Sequence, residues 1–217
     1  MSSKAEQAET LYERIRGCTG CALWKTRTHA VPGEGPLDAE LMFIGEGPGM
    51  NEDRQGRPFV GQAGNFLEEL LAEAGYRRDE VYICNVLKCR PPNNRDPMPD
   101  EIEACRAFLD EQIALVDPAV VVSLGRYSMS RFFPKAKVSR VHGQCRDIGD
   151  RLFVPMYHPA AALHQAALRQ TIIEDFRLLP GYVEHARELR RQRAAIADAE
   201  PAPTEAGSEA EQIRLFD

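Results

Sequence analysis

The sequence has no apolar run near the roughly 20 residues that a membrane helix requires, which excludes a helical span. Its opening stretch, MSSKAEQAETLYERIRG, holds no apolar core of the kind an export signal carries, so the chain is expected to work in the cytoplasm. Cysteine is scarce. Six in 217 residues are too few for a disulfide scaffold, and without an export signal they read as reduced thiols or metal ligands. Two nucleotide-binding signatures are missing as well. The glycines at Gly45-Glu46-Gly47-Pro48-Gly49 are followed by no Gly-Lys-Ser/Thr, so they are not a P-loop, and they do not form the GxGxxG of a dinucleotide fold. There is no internal repeat.

What is present fits one soluble α/β domain with a tail. The net charge of −6 argues at first against a nucleic-acid partner. Residues 194–217 alone carry a net −5, however, so the body is near neutral and can hold a basic face. Residues 126–140, RYSMSRFFPKAKVSR, contain five bases and no acid, which reads either as such a face or as ordinary solvated surface. From Asp198 to Glu211 the chain lacks anything that could build a core, so 1–197 is expected to be the domain and 198–217 a disordered acidic tail.

Periodicity predicts helices over 4–16, 64–75 and 99–116, the last opened by Asp100, Glu101 and Glu103. Short apolar runs at 41–44, 81–86, 119–124 and 152–157 read as strands. A short helix is expected through Phe133, extended hairpin-like structure over 138–148, and helix over 160–197 broken near Pro180-Gly181. Strands alternating with helices imply a three-layer αβα fold around a central, mostly parallel, four-stranded sheet.

Two features carry chemistry. Cys18-x2-Cys21 and Cys89-x15-Cys105 suit zinc or an iron–sulfur cluster, with buried structural thiols as the alternative. Cys84 lies inside a strand and reads as core. In an open α/β sheet ligands bind beyond the carboxyl ends of the strands. There the glycine loop 45–49, Asn85 and His158 should meet on one rim. Singly they read as a tight turn, a capping Asn and a satisfied His; together they read as a site.

The chain closely resembles the family 4 uracil-DNA glycosylases. The blocks that carry the resemblance are CTGC, IGEGPGMNEDRQGRPFVGQAGNFL, VYICNVLKCRPPNNRDPMPDEIEAC and MYHPAAAL, between Cys18 and Phe176. The resemblance implies a [4Fe–4S] cluster on Cys18, Cys21, Cys89 and Cys105, and a pocket for uracil flipped out of DNA, single- or double-stranded. Phe59 would stack on the base, Asn85 would read its edge, and His158 would donate to uracil O2. The backbone of Gly45, Gly47, Pro48 and Gly49 would shape the pocket. Better-known uracil glycosylases carry Asp in the first motif where this chain has Gly47, so Glu46 is the carboxylate expected to orient water and support the sugar cation, ahead of Glu52 and Asp53. A covalently binding subgroup has a basic, His-containing insert after this motif. None lies between Asp53 and Gly61, which favours turnover.

Leu163, then His164, match the position of an apolar wedge. The final Gln212-Ile213-Arg214-Leu215-Phe216 resembles the peptide by which bacterial repair proteins dock on the sliding clamp; folding back onto the domain is the alternative. A monomeric base-excision enzyme is thus expected. The competing readings are a non-catalytic or covalent uracil-DNA-binding module and an iron–sulfur electron carrier, the latter having no use for Asn85, Phe59 and His158 on one rim.

Overall fold

Sequence and caps explain most of the element boundaries. A computed structural model describes residues 2–199. Helix α1, Lys4–Arg16, opens on a capping box: Ser3 Oγ accepts from the Glu6 N–H, and the Glu6 carboxylate accepts from the Ser3 N–H at 2.7 Å. Strand β1, Leu41–Gly45, runs into α2, Met50–Gln55, and α3, Gln62–Glu73, before β2, Tyr82–Asn85. Helix α4, Pro99–Val116, starts with a proline where no N–H is needed and ends with Asp117 in the left-handed region. Then come β3, Val120–Leu124; α5, Arg126–Ser130; α6, Val138–Val141; β4, Arg146–Ile148; and β5, Arg151–Met156. Three helices close the described chain: α7, Ala160–His164; α8, Leu168–Phe176; and α9, Leu179–Ala199.

The sheet has the order β2-β1-β3-β5-β4. Its first four strands are parallel, and β4 pairs antiparallel with β5. Alternation along each strand feeds two cores. Leu41 and Phe43 of β1 face one side with α3, α8 and α9, where Phe43 stacks on Phe176 at 5.7 Å. Met42 and Ile44 face the other side, with α4 and the segment around α5 and α6. Outside these layers α1 packs on α4 through Leu11 and Ile15, enclosing Leu87, Cys89 and Cys105 in a third apolar cluster.

The αβα class is as expected, but the sheet has five strands rather than four. Strand β4 is three exposed residues, without the apolar alternation that marks a strand in sequence; it exists because β5 offers it an edge. The region 138–148 is not extended throughout, since 138–141 form a helical turn. The helical stretch after 160 breaks between α8 and α9 at 177–178, near Pro180-Gly181 as expected, and in addition at Gln165. Pro180 sits in the first turn of α9, where its missing N–H costs no helical bond. Residues 200–217, including the expected clamp peptide Gln212, Ile213, Leu215 and Phe216, lie outside the described residues. Among the described residues no helix is long and apolar enough to cross a membrane.

Candidate active site

The strand order reverses at β1, with β2 on one side and β3 on the other, and an open sheet binds ligands at such a point. A cleft of about 530 Å³ lies there. Its sheet-borne wall comprises Glu46, Gly47, Pro48 and Gly49 after β1, Asn85 at the end of β2, and His158 after β5. The loop between Cys89 and Cys105 also lines the cleft, through Pro91, Asn94, Arg95 and Pro97. Phe59 and His164 line it as well. Leu163, on the same short helix α7, is 46% exposed.

Phe59 is held in an unusual backbone state, with φ of 50°. Its loop is pinned from two directions. Arg78 donates to the Phe59 and Pro58 carbonyls at 3.0 and 2.5 Å, and the Glu52 carboxylate accepts from the Val60 and Gly61 N–H groups at 2.8 Å each. Glu52 therefore shapes the pocket loop. Asp53 is buried and accepts from the Thr28 N–H at 2.8 Å, away from the cleft lining. The Phe59 ring stacks against the His158 ring at 5.5 Å and 23°. Gly45 is dictated by the same packing, because a Cβ there would lie 2.3 Å from Asn85 Oδ1 and 2.6 Å from the Phe59 ring.

Asn85 is only 2% exposed. No protein group among the described residues hydrogen-bonds its side-chain amide, an arrangement that leaves a donor and an acceptor for a ligand. His158 has one nitrogen committed: the Ala160 N–H donates to Nδ1 at 3.1 Å. Burial holds its pKa down at about 4, so the ring is neutral near pH 7 and carries its proton on Nε2. Glu46 is displaced the other way. Burial, reinforced by the Asp96 carboxylate and opposed by the Arg126 guanidinium, pushes its pKa up to about 7. Arg126 pairs with Asp96 and sits over the Tyr127 ring at 4.6 Å. Of the basic run 126–140, Arg131 is also in an ion pair, with Asp110.

Cys18, Cys21, Cys89 and Cys105 border one hollow with Trp24, Arg27 and Phe108. All four are free thiols. Two N–H donors address their sulfurs: Gly20 to Cys18 at 3.4 Å and Arg27 to Cys89 at 3.1 Å. Cys84 is fully buried in the core, and Cys145 is partly buried against it.

Sequence reasoning missed four contributors: Glu52 as a loop clamp, Arg78, the Asp96–Arg126 pair beside Glu46, and the cysteine loop as a cleft wall. Only the last had a readable signal, since that loop begins four residues after Asn85 and had to leave the sheet beside it.

Residues 32–177 match the family described as "Uracil DNA glycosylase superfamily". The type-4 uracil-DNA glycosylase of Thermotoga maritima is 46% identical over 189 residues, covering 85% of this chain and 98% of that protein. That of Archaeoglobus fulgidus is 44% identical over 181 residues, covering 79% of this chain and 91% of that protein. A type-5 uracil-DNA glycosylase from Thermus thermophilus is 34% identical over 136 residues, covering 56% of this chain and 60% of that protein. With likeness of this degree over most of its length, the chain belongs to the uracil-DNA glycosylase superfamily, within the type-4 group.

Proposed function

We propose that this chain, as a type-4 uracil-DNA glycosylase, uses the cleft beyond β1, β2 and β5 to hold uracil flipped out of DNA and to hydrolyse its N-glycosidic bond. The bond between N1 of the base and C1′ of the sugar breaks, water supplies hydroxyl to C1′, and the base leaves with the proton, giving free uracil and an abasic site. The observation that carries the reading is the buried, unpartnered amide of Asn85 in a cleft shared with the Nε2–H of His158 and the Phe59 ring.

Each side chain has a distinct task. The Asn85 amide donates to O4 and accepts from N3–H; cytosine reverses both and leaves buried groups opposed. The Phe59 face stacks on the base. As the bond breaks, negative charge grows on the base, and the neutral His158 donates from Nε2 to O2 where that charge collects. Glu46, ionised, orients water and offsets the positive charge growing on the sugar. The direct test uses an oligonucleotide with one labelled uracil. Release of free uracil, with no release from a cytosine-containing control, is expected. Binding without release would instead make the chain a non-catalytic module.

The raised pKa of Glu46 gives a pH signature. Below about pH 7 its carboxyl is largely protonated and cannot support the sugar cation. Turnover is therefore expected to climb with unit slope up to about pH 7 and level off above it. His158 adds no limb there, because it is neutral down to about pH 4. In Glu46→Gln the rising limb should vanish along with most activity. A limb that survives unchanged would assign the ionisation elsewhere.

The four-cysteine hollow supports a [4Fe–4S] cluster held by Cys18, Cys21, Cys89 and Cys105. Among the described residues, no three His, Cys, Asp or Glu side chains converge on a point that one ion could occupy. A cluster takes its thiolates on separate iron corners, so it suits sulfurs spread around a hollow better than a single tetrahedral zinc does. When bound, such a cluster supplies four metal–sulfur bonds joining the end of α1, the loop after β2, and α4. Purified protein is expected to be brown and to hold about four irons per chain. Cys105→Ala should lose both colour and thermal stability. Colourless protein with one zinc would overturn the assignment.

A further inference from the structure

Lys88 is 1% exposed, and no carboxylate pairs with it among the described residues. A lysine so placed is rare and costly unless its ammonium is well bonded. Here Nζ donates to two oxygens, the Asn85 backbone carbonyl at 2.6 Å and Gln112 Oε1 at 2.5 Å. The first of these bears on the base reader. Strand β2 is an edge strand: one side of its backbone has β1, and the other has no strand of the sheet, only Glu34 bridging Ile83. The Val86 N–H donates to the Gly45 carbonyl at 3.0 Å, on the β1 side. The Asn85 carbonyl belongs to the same peptide plane and points the opposite way, off the edge, where Lys88 meets it. The plane after Asn85 is thus held at both ends. That fixes ψ of Asn85, and with it the direction in which its Cβ projects.

The second bond anchors the lysine. Gln112 is fully buried, and its Nε2 donates to the Pro32 carbonyl at 2.6 Å and to the Tyr82 hydroxyl at 2.9 Å. That hydroxyl in turn lies 2.8 Å from the Tyr12 hydroxyl on α1. The backbone of Lys88 is tied down as well: its carbonyl accepts from the Val31 N–H at 2.7 Å.

We propose that Lys88 is a positioning residue for base recognition, which ties the carbonyl of Asn85 to helix α4 and so aims the Asn85 amide at the flipped base. It touches no substrate and acts only through Asn85, so the proposal rests on Asn85 as the base reader.

The test uses the full chain as isolated, with free uracil as a competitive probe. Lys88→Met keeps the apolar stem and removes Nζ. Loss of the hydrogen bond to a buried carbonyl predicts about a tenfold weaker inhibition by free uracil and about a tenfold lower kcat. Affinity for uracil-free duplex and metal content should be unchanged. A merely structural lysine would weaken both affinities together or neither, and either result overturns the proposal. Should Lys88→Met fail to fold, Gln112→Met decides, because it frees the lysine while leaving its bond to Asn85. A selective loss of uracil inhibition supports the role, and unchanged inhibition overturns it. Asn85→Ala, run in parallel, separates the two layers. If it leaves uracil inhibition intact, the base-reading assignment fails. If it abolishes inhibition while Lys88→Met does not, only the positioning role fails.

Discussion

His158→Ala is expected to lower kcat by about 10²–10³, on the order of 2.7–4 kcal/mol, as removal of one donor to a developing anion does elsewhere. The loss should fall on turnover and spare DNA binding, because the bond from Nε2 strengthens only as charge leaves the sugar for the base. Two local features sharpen the expectation. The Ala160 N–H occupies Nδ1, so the ring has one donor and one orientation. The ring also stacks on Phe59, so truncation loosens the pocket floor as well. His158→Gln, which keeps an N–H at the end of the side chain, should recover part of the rate. Single-turnover kinetics with uracil-containing duplex separates the steps. Equal losses in binding and rate would make His158 a packing residue.

Gly45→Ala is expected to reduce uracil release by about a hundredfold or more while the protein stays folded. The new methyl would sit 2.3 Å from Asn85 Oδ1 and 2.6 Å from a Phe59 ring carbon. Neither overlap is tolerable, so the amide and the ring must both move, and displacement of reacting partners by about 1 Å costs on that scale. The strand itself accepts alanine, since Gly45 is not among the residues with positive φ. Gly181→Ala is the matched control: nothing lies within 4 Å of its added methyl, and activity should be that of the parent. Circular dichroism and melting of both variants, beside their uracil release, settle the matter. A Gly45→Ala protein with full activity would remove Asn85 and Phe59 from base recognition.

The parts legible in the sequence were those whose cause is local. Ser3 and Glu6 announce the start of α1, Pro99 with its following acids announces α4, and the apolar runs mark the parallel strands. The rim followed from a topological rule, since Asn85 and His158 stand at strand ends. What stayed hidden depends on partners distant along the chain. Arg78 supports Phe59 by bonding carbonyls some twenty residues earlier, and Lys88 reaches Gln112 across a helix. No pattern of residue types encodes a bond to a backbone carbonyl. Strand β4 was hidden for a related reason: three exposed residues acquire strand character from their neighbour.

The cleft is lined both by strand ends of the sheet and by the loop that leaves Cys89 and returns at Cys105. These two parts differ in stiffness. Strand ends locked in register cannot shift without breaking the ladder. The loop buries only Pro91 and Pro97 of residues 91–97, and turns sharply through Asn93 and Asn94, both at positive φ. Its middle is tied by side chains rather than by apolar packing beneath it: Arg95 pairs with the buried Glu101, and Asp96 with Arg126. A chain segment held at its ends pays a closure entropy that grows only slowly with length. Insertions within 92–96 are therefore tolerable for stability, but they would move Asp96, which pairs with Arg126 and helps to raise the Glu46 pKa, while leaving intact the register of β1 and β2 that places Asn85.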